Sequence, residues 1–348
     1  MTVRNQGLDI VKGIGILLVF LGHSVWSGGL TFGSIFAFHM PLFFFVSGIL
    51  FSPEKYGDLQ KILRHVAMVF LVPYLVFNVM GAATWWLSQN FPQDLQGVCK
   101  AVYTVFIGCH PQTNGPTWFL VVLAEVQLAT WFALRISKRS LPVLLAAAAF
   151  VYVAGAYCWS LWLPRLSPRL IPFRFMSAML AFLYFTVGHA VAKCDWQSRL
   201  DRAKPAALWF MASVAISAVV LLTRSFGTNS ISDCPWHPHL LVATSTLGIF
   251  AILAISTTIV RLVKEKVWRV LAYIGRNSLY YFTLEFVVGR IVWSVMKMFW
   301  PHLTFPLYSC DTFQGVAILF FAVNLVAVSA VLPIVKCAYC RLVAHVGK

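Results

Sequence analysis

Apolar and polar positions come in long blocks along this chain. Charged and Pro-rich breaks separate apolar stretches near residues 10–26, 35–51, 62–88, 117–135, 141–158, 173–192, 205–223, 239–260, 277–299 and 315–336. Each is roughly 17–25 residues, which as α-helix spans a hydrocarbon core of about 30 Å. The pattern predicts an all-α fold, a polytopic integral membrane protein with about ten transmembrane helices. It forms one domain over residues 1–348, with no soluble domain, low-complexity linker or internal repeat standing out. The first stretch carries Asp9 and Lys12 and lacks a small-residue cleavage site, so it is expected to remain as a helix and not to be removed as a signal peptide.

Composition strengthens the membrane reading: 60% hydrophobic against 11% charged residues, with a mean hydropathy of +0.79, suits a bilayer better than one soluble core of 348 residues. A net charge of +16 could suggest nucleic acid, but the placement of Lys and Arg argues against that partner. With ten crossings, Arg4, Lys12, Lys55, Lys61, Arg64, Arg135, Lys138, Arg139 and the basic residues of segments 193–204, 261–276 and 336–348 share one side. The other side receives only Lys100, Arg165, Arg169, Arg174, Arg224, Arg290 and Lys297. By the positive-inside rule both termini are expected in the cytoplasm, N-in and C-in, with membrane lipids as neighbours. Cys99, Cys109, Cys158, Cys234 and Cys310 then fall at or near the outer face, where disulfides of unassigned pairing can form. Cys194, Cys337 and Cys340 read as ordinary helix-end residues, since nothing completes a zinc site around them.

The segment LDIVKGIGILLVFLGHS sets Lys12 and His23 on one helix. Their spacing is three turns plus about 20°, so the two side chains share a face and stand about 16 Å apart along the axis. Ionisable groups inside a membrane helix normally face a cavity lined by protein or water. The next helix opens FHMPLFFFVSGILF and brings His39 near the level of His23, with Pro41 suiting a helix start. Ser47 and Gly48 either let helices pack closely or line a cavity. The Phe43, Phe44, Phe45 run reads as lipid-facing or packing surface.

A basic residue, ten intervening residues and a His, followed by FHMPLFFFVSG, resembles the acyltransferase-3 family of bacterial membrane acyltransferases, in the branch similar to fucose O-acetylases. Further segments resemble it too. KILRHVAMVFLVPYLVFN is similar to the basic third-helix start and Pro-Tyr kink, carried by Lys61, Arg64, Pro73 and Tyr74. GPTWFLVVLAE is similar to the fourth helix, with Trp118, Phe119 and Leu120 in register. IGRNSLYYFTLE matches a late segment at Gly275, Asn277, Ser278, Leu279 and Tyr280, but Glu285 stands where a His is common. YFTVGHAV matches more weakly around Gly188, and the likeness thins between residues 140 and 260. The resemblance implies transfer of an acyl group, usually acetyl, from cytoplasmic acyl-CoA to sugars of surface polysaccharides, in a bacterial inner membrane. Acetyl-CoA or another acyl-CoA would be a co-substrate, with no permanently bound cofactor and no metal.

Transfer to a sugar hydroxyl needs a base, and histidine titrates near working pH. His23 is therefore expected as general base, or as acyl carrier in a two-step reaction. His39 orients His23, donates to the oxyanion, or caps its helix. Lys12, Lys61 and Arg64 are expected to pair with the phosphates of acyl-CoA. Asp9, three residues before Lys12, reads first as its ion-pair partner. Trp118, Glu125, Ser278 and Glu285, with Ser47, are candidates to line the cavity or bind acceptor; Glu125 and Glu285 could instead orient a histidine or pair structurally. Arg165 and Arg169, with Arg174, form a basic cluster on the outer side, suited to an acidic glycan or a lipid phosphate. No GxSxG elbow, GxxxxGK[ST] loop or HExxH motif is present. The rival reading is a transporter or flippase for a sugar-bearing solute; the lack of duplicated halves counts against it. A non-catalytic scaffold leaves Lys12 and His23 unexplained.

Overall fold

The computed structural model describes residues 6–24, 30–88, 94–107, 111–162, 172–231, 237–300 and 314–346. Its helices are α1 (Gln6–Ser24), α2 (Leu30–Phe36), α3 (His39–Leu50), α4 (Leu59–Val66), α5 (Val72–Leu87), α6 (Leu95–Phe106), α7 (Trp118–Ile136), α8 (Leu141–Trp162), α9 (Phe175–Val191), α10 (Trp196–Arg202), α11 (Pro205–Phe226), α12 (Pro238–Leu262), α13 (Glu265–Arg276), α14 (Ser278–Phe299) and α15 (Gln314–Val346). No strand occurs among the described residues. All ten apolar stretches return as helices long and apolar enough to cross a membrane, from Gln6–Ser24 to Val316–Leu342. The chain is thus a multi-pass all-α membrane protein. Helices α6, α10 and α13 are the shorter connectors.

Burial divides the bundle into an inner set and a lipid-facing rim. Helices α1, α3, α7 and α14 bury most of their length, whereas α8, α11 and α15 expose residues such as Phe150, Phe210 and Ile334. Between apolar helices in apolar lipid there is little hydrophobic drive, so close packing of small residues has to hold the inner set together. Gly275 of α13 abuts the Asp9 carbonyl and Gly13 abuts the Leu271 carbonyl, pressing α13 backbone-to-backbone on α1. Gly48 lies on the Phe185 carbonyl while Gly188 lies on that of Phe45, a reciprocal crossing of α3 and α9. Of the SerGly pair, the glycine therefore packs.

Two irregularities shape the interior. The second span breaks at Ala37 and Phe38, and the freed groups are recaptured: Ser245 donates to the Ala37 carbonyl at 2.9 Å, and Phe38 N–H reaches the Ile35 carbonyl at 3.2 Å. Such a break survives at membrane depth only because protein covers it. In the third span Pro73 has no N–H to give, and the chain widens into a π turn over Ala67–Leu71 before α5 begins. Tyr74 donates to the Val105 carbonyl at 2.5 Å, tying this kink to α6.

Candidate functional site

His23 closes the last turn of α1, and its Nδ1 lies 2.9 Å from Glu285 Oε2 on α14. Glu285 is 2% exposed. A carboxylate accepting from Nδ1–H fixes the tautomer and so places the ring's lone pair on Nε2. Asn324 of α15 steadies Glu285 from behind, donating to its backbone carbonyl at 3.2 Å. The ring of Phe36 links the two histidines, 6.0 Å from His23 and 4.7 Å from His39. His39 begins α3 as expected, is buried, and donates Nδ1–H to the Ile35 carbonyl at 2.9 Å across the break.

Three turns back, Lys12 pairs with buried Asp9 at 2.9 Å, the partner expected from the sequence. Lys12 also lines a cavity of about 220 Å³ with Ser47, Ser278, Ile16, Phe43, Phe119 and Phe282. Val69 and Phe70 of the π turn complete one wall. Phe119 meets the rings of Phe44 at 4.8 Å and Phe282 at 5.3 Å, so the Phe43 to Phe45 run is buried packing and does not face lipid. Ser278, Phe282 and Glu285 share one stripe of α14, as Lys12, Ile16 and His23 do on α1. The cavity therefore ends one turn of α14, about 4.5 Å of rise, short of Glu285.

Lys61 and Arg64 stand apart from this cavity, exposed on α4. Lys61 Nζ is 3.4 Å from Asp58, whose carboxyl caps the helix on the Lys61 N–H at 2.8 Å. That backbone hydrogen bond holds the Asp58 carboxyl below the usual carboxylate range. Arg64 is six residues, about 9 Å of helix, from Phe70 in the cavity wall. Trp118 does not line the cavity; it is buried under the guanidinium of Arg174, 4.6 Å from the ring centre. Glu125 is partly buried on α7, and its Oε2 has no hydrogen-bond partner among the described residues. Arg165, Arg169, Cys109, Cys234 and Cys310 lie outside the described residues; Cys99 and Cys158 are free thiols.

A polar lock beside the site carried no signal in the motif reading. Asn114 donates to the Phe77 and Thr283 carbonyls at 3.2 and 2.9 Å, joining the GPTW turn to α5 and α14. Arg290 donates to the carbonyls of Gly81, Thr113 and Gln112 at 2.6–2.7 Å and lies over Trp85. Five carbonyls from three segments are thus satisfied by two side chains next to Glu285. Arg290 inside an apolar segment was the available clue, whereas Asn114 lies in the loop before the GPTW turn; the partners of both are set by tertiary packing.

No curated protein and no solved structure matches the chain. A family model does: the acyltransferase domain of the acyltransferase-3 family covers residues 5–332. That match takes in the His23 and Glu285 helices, the Lys12 cavity and nearly every membrane span, so the chain belongs to the acyltransferase-3 family and is a membrane acyltransferase.

Proposed function

We propose that this enzyme moves an acyl group, acetyl in the simplest case, from cytoplasmic acyl-CoA to a hydroxyl of a cell-surface polysaccharide or lipid-linked sugar, in a bacterial inner membrane. The observation that carries the reading is the His23 and Glu285 pair beyond a mostly apolar cavity with Lys12 at its side, Glu285 one turn of α14 past the lining residue Phe282 and His23 two turns of α1 past Ile16. An acyl-pantetheine arm is long, thin and largely uncharged, and suits such a cavity. The phosphates stay at the basic end, where Lys12, Lys61 and Arg64 offer charge.

In this scheme His23 Nε2 takes the proton of the acceptor hydroxyl as its oxygen attacks the thioester carbonyl. The tetrahedral intermediate collapses with cleavage of the C–S bond, and the imidazolium returns the proton to the departing CoA thiolate. Glu285 stabilises the transient imidazolium and keeps the ring in register. His39, with its own Nδ1–H committed to Ile35, supports the aromatic contact around Phe36. The basic end is assigned to the cytoplasm by the positive-inside rule. Mass spectrometry of envelope glycans tests the proposal: cells with the wild-type protein carry an added acyl mass, and cells with His23→Ala at equal membrane abundance lack it. Acylation retained in His23→Ala rejects His23 as the base.

A further inference from the structure

The turn between α7 and α8 holds two successive non-glycine residues at positive φ, a pairing shared among the described residues with Phe173 and Arg174 before α9. Helix α7 closes with Ser137 N–H on the Ala133 carbonyl and Arg139 N–H on the Leu134 carbonyl at 2.7 Å. Closing it this way puts Lys138 and Arg139 successively at φ 48° and 65°. Glycine adopts that region freely and an L side chain does not, so two long cationic side chains are held where backbone geometry alone would select glycine. The turn borders an open surface pocket of about 370 Å³ lined by Arg135, Lys138, Arg139, Trp131, Leu134 and Pro53. That is large enough for part of a small ligand.

Within it Arg135 is pre-positioned. Its guanidinium stacks 3.9 Å over Trp131 and donates to the Gly57 and Tyr56 carbonyls at 2.6 and 3.3 Å. Trp131 itself donates to the Tyr56 carbonyl at 3.1 Å. The one carboxylate of the ion pairs here is Glu54, at 3.9 Å from both Arg139 and Lys193, with side chains half exposed or more. Lys138 has no carboxylate partner among the described residues. Three cations, Arg135, Lys138 and Arg139, thus line a concavity with an aromatic base, and of these Arg139 is the one paired with a carboxylate among the described residues. Leu134 in the pocket and Leu123 in the Lys12 cavity lie on the same face of α7, eleven residues or about 16 Å apart.

We propose that this pocket is a binding site for a phosphate-ester anion, held by Arg135, Lys138 and Arg139. Arginine forks and a lysine point charge on a fixed turn are the donor set such an anion requires. Two sources carry that chemistry, the nucleotide end of the CoA donor and the headgroup of an anionic lipid. The claim concerns binding and stands apart from whether His23 performs the transfer.

The test replaces Lys138 and Arg139 together by glycine, which removes both charges while suiting the backbone, so folding is preserved. Purified full-length protein in neutral-lipid nanodiscs is titrated with CoA and with 3′,5′-ADP by calorimetry. In parallel, native mass spectrometry counts phosphatidylglycerol retained from mixed-lipid detergent extracts. A rise of about tenfold or more in the CoA and 3′,5′-ADP dissociation constants identifies the nucleotide. Unchanged nucleotide affinity with loss of retained phosphatidylglycerol identifies the lipid. Wild-type behaviour in both arms overturns the site. His23→Ala, run alongside, keeps its nucleotide affinity even if the transfer scheme is wrong, so the two claims fail separately.

Discussion

Replacing Glu285 by Gln tests the coupling of the carboxylate to His23. Gln keeps the volume and a carbonyl oxygen within reach of Nδ1, so no cavity opens in a site where Glu285 is 2% exposed. What disappears is the negative charge 2.9 Å from the imidazole. A hydrogen bond to a charged group contributes about 1.5–3 kcal/mol net, and in this scheme the contribution falls on the transition state, where His23 is protonated. At about 1.4 kcal/mol per tenfold, kcat drops roughly 10- to 150-fold. KM for acyl-CoA changes by no more than about twofold, because the carboxylate lies beyond the donor cavity. The assay is initial-rate release of CoA thiol in nanodiscs with a sugar acceptor. In a His23→Gln background the same substitution causes little further loss, since the two side chains act as a unit. A Glu285→Gln enzyme within twofold of wild-type kcat, or losses that multiply fully in the double variant, refutes the pairing as catalytic.

Other parts of the structure make equally concrete demands. Gly275→Val puts side-chain atoms into the Asp9 carbonyl and costs roughly 1–3 kcal/mol or more, read as a lower thermal midpoint in detergent; an unchanged midpoint contradicts the close crossing of α13 on α1. Arg290→Met strands three carbonyls now bonded at 2.6–2.7 Å, a loss of about 3 kcal/mol or more that appears as reduced folded yield, and wild-type yield and midpoint count against the lock. Ser47→Phe intrudes on the cavity of about 220 Å³ and raises KM for acyl-CoA about tenfold; normal donor kinetics exclude this cavity as the donor path.

The span pattern was legible because membrane thickness sets a length that apolar blocks must meet, and boundaries agree within a few residues for most spans. The shared face of Lys12 and His23 was legible for a similar reason, being helical geometry within one segment. What the sequence left open depends on which helices meet. Ser47 and Gly48 looked alike as small residues, yet α9 packs on the glycine and the cavity takes the serine. Glu285 looked like a departure from the family motif, and its pairing with His23 became visible only when α14 was laid beside α1. Trp118 sat in a matching motif but points to Arg174, while its neighbours Phe119 and Leu120 line the cavity. The Phe43 to Phe45 run could not be sorted between lipid and core until α7 and α14 were in place.

The central claim is that acyl transfer runs through His23 held by Glu285, fed by acyl-CoA from the basic end. Its most direct measurement supplies acyl-labelled acetyl-CoA to purified enzyme in nanodiscs with an envelope glycan fraction and follows the label. The account predicts label in glycan ester with the wild type, none with His23→Ala, and a strongly reduced amount with Glu285→Gln. Label reaching glycan at the wild-type rate in His23→Ala contradicts it.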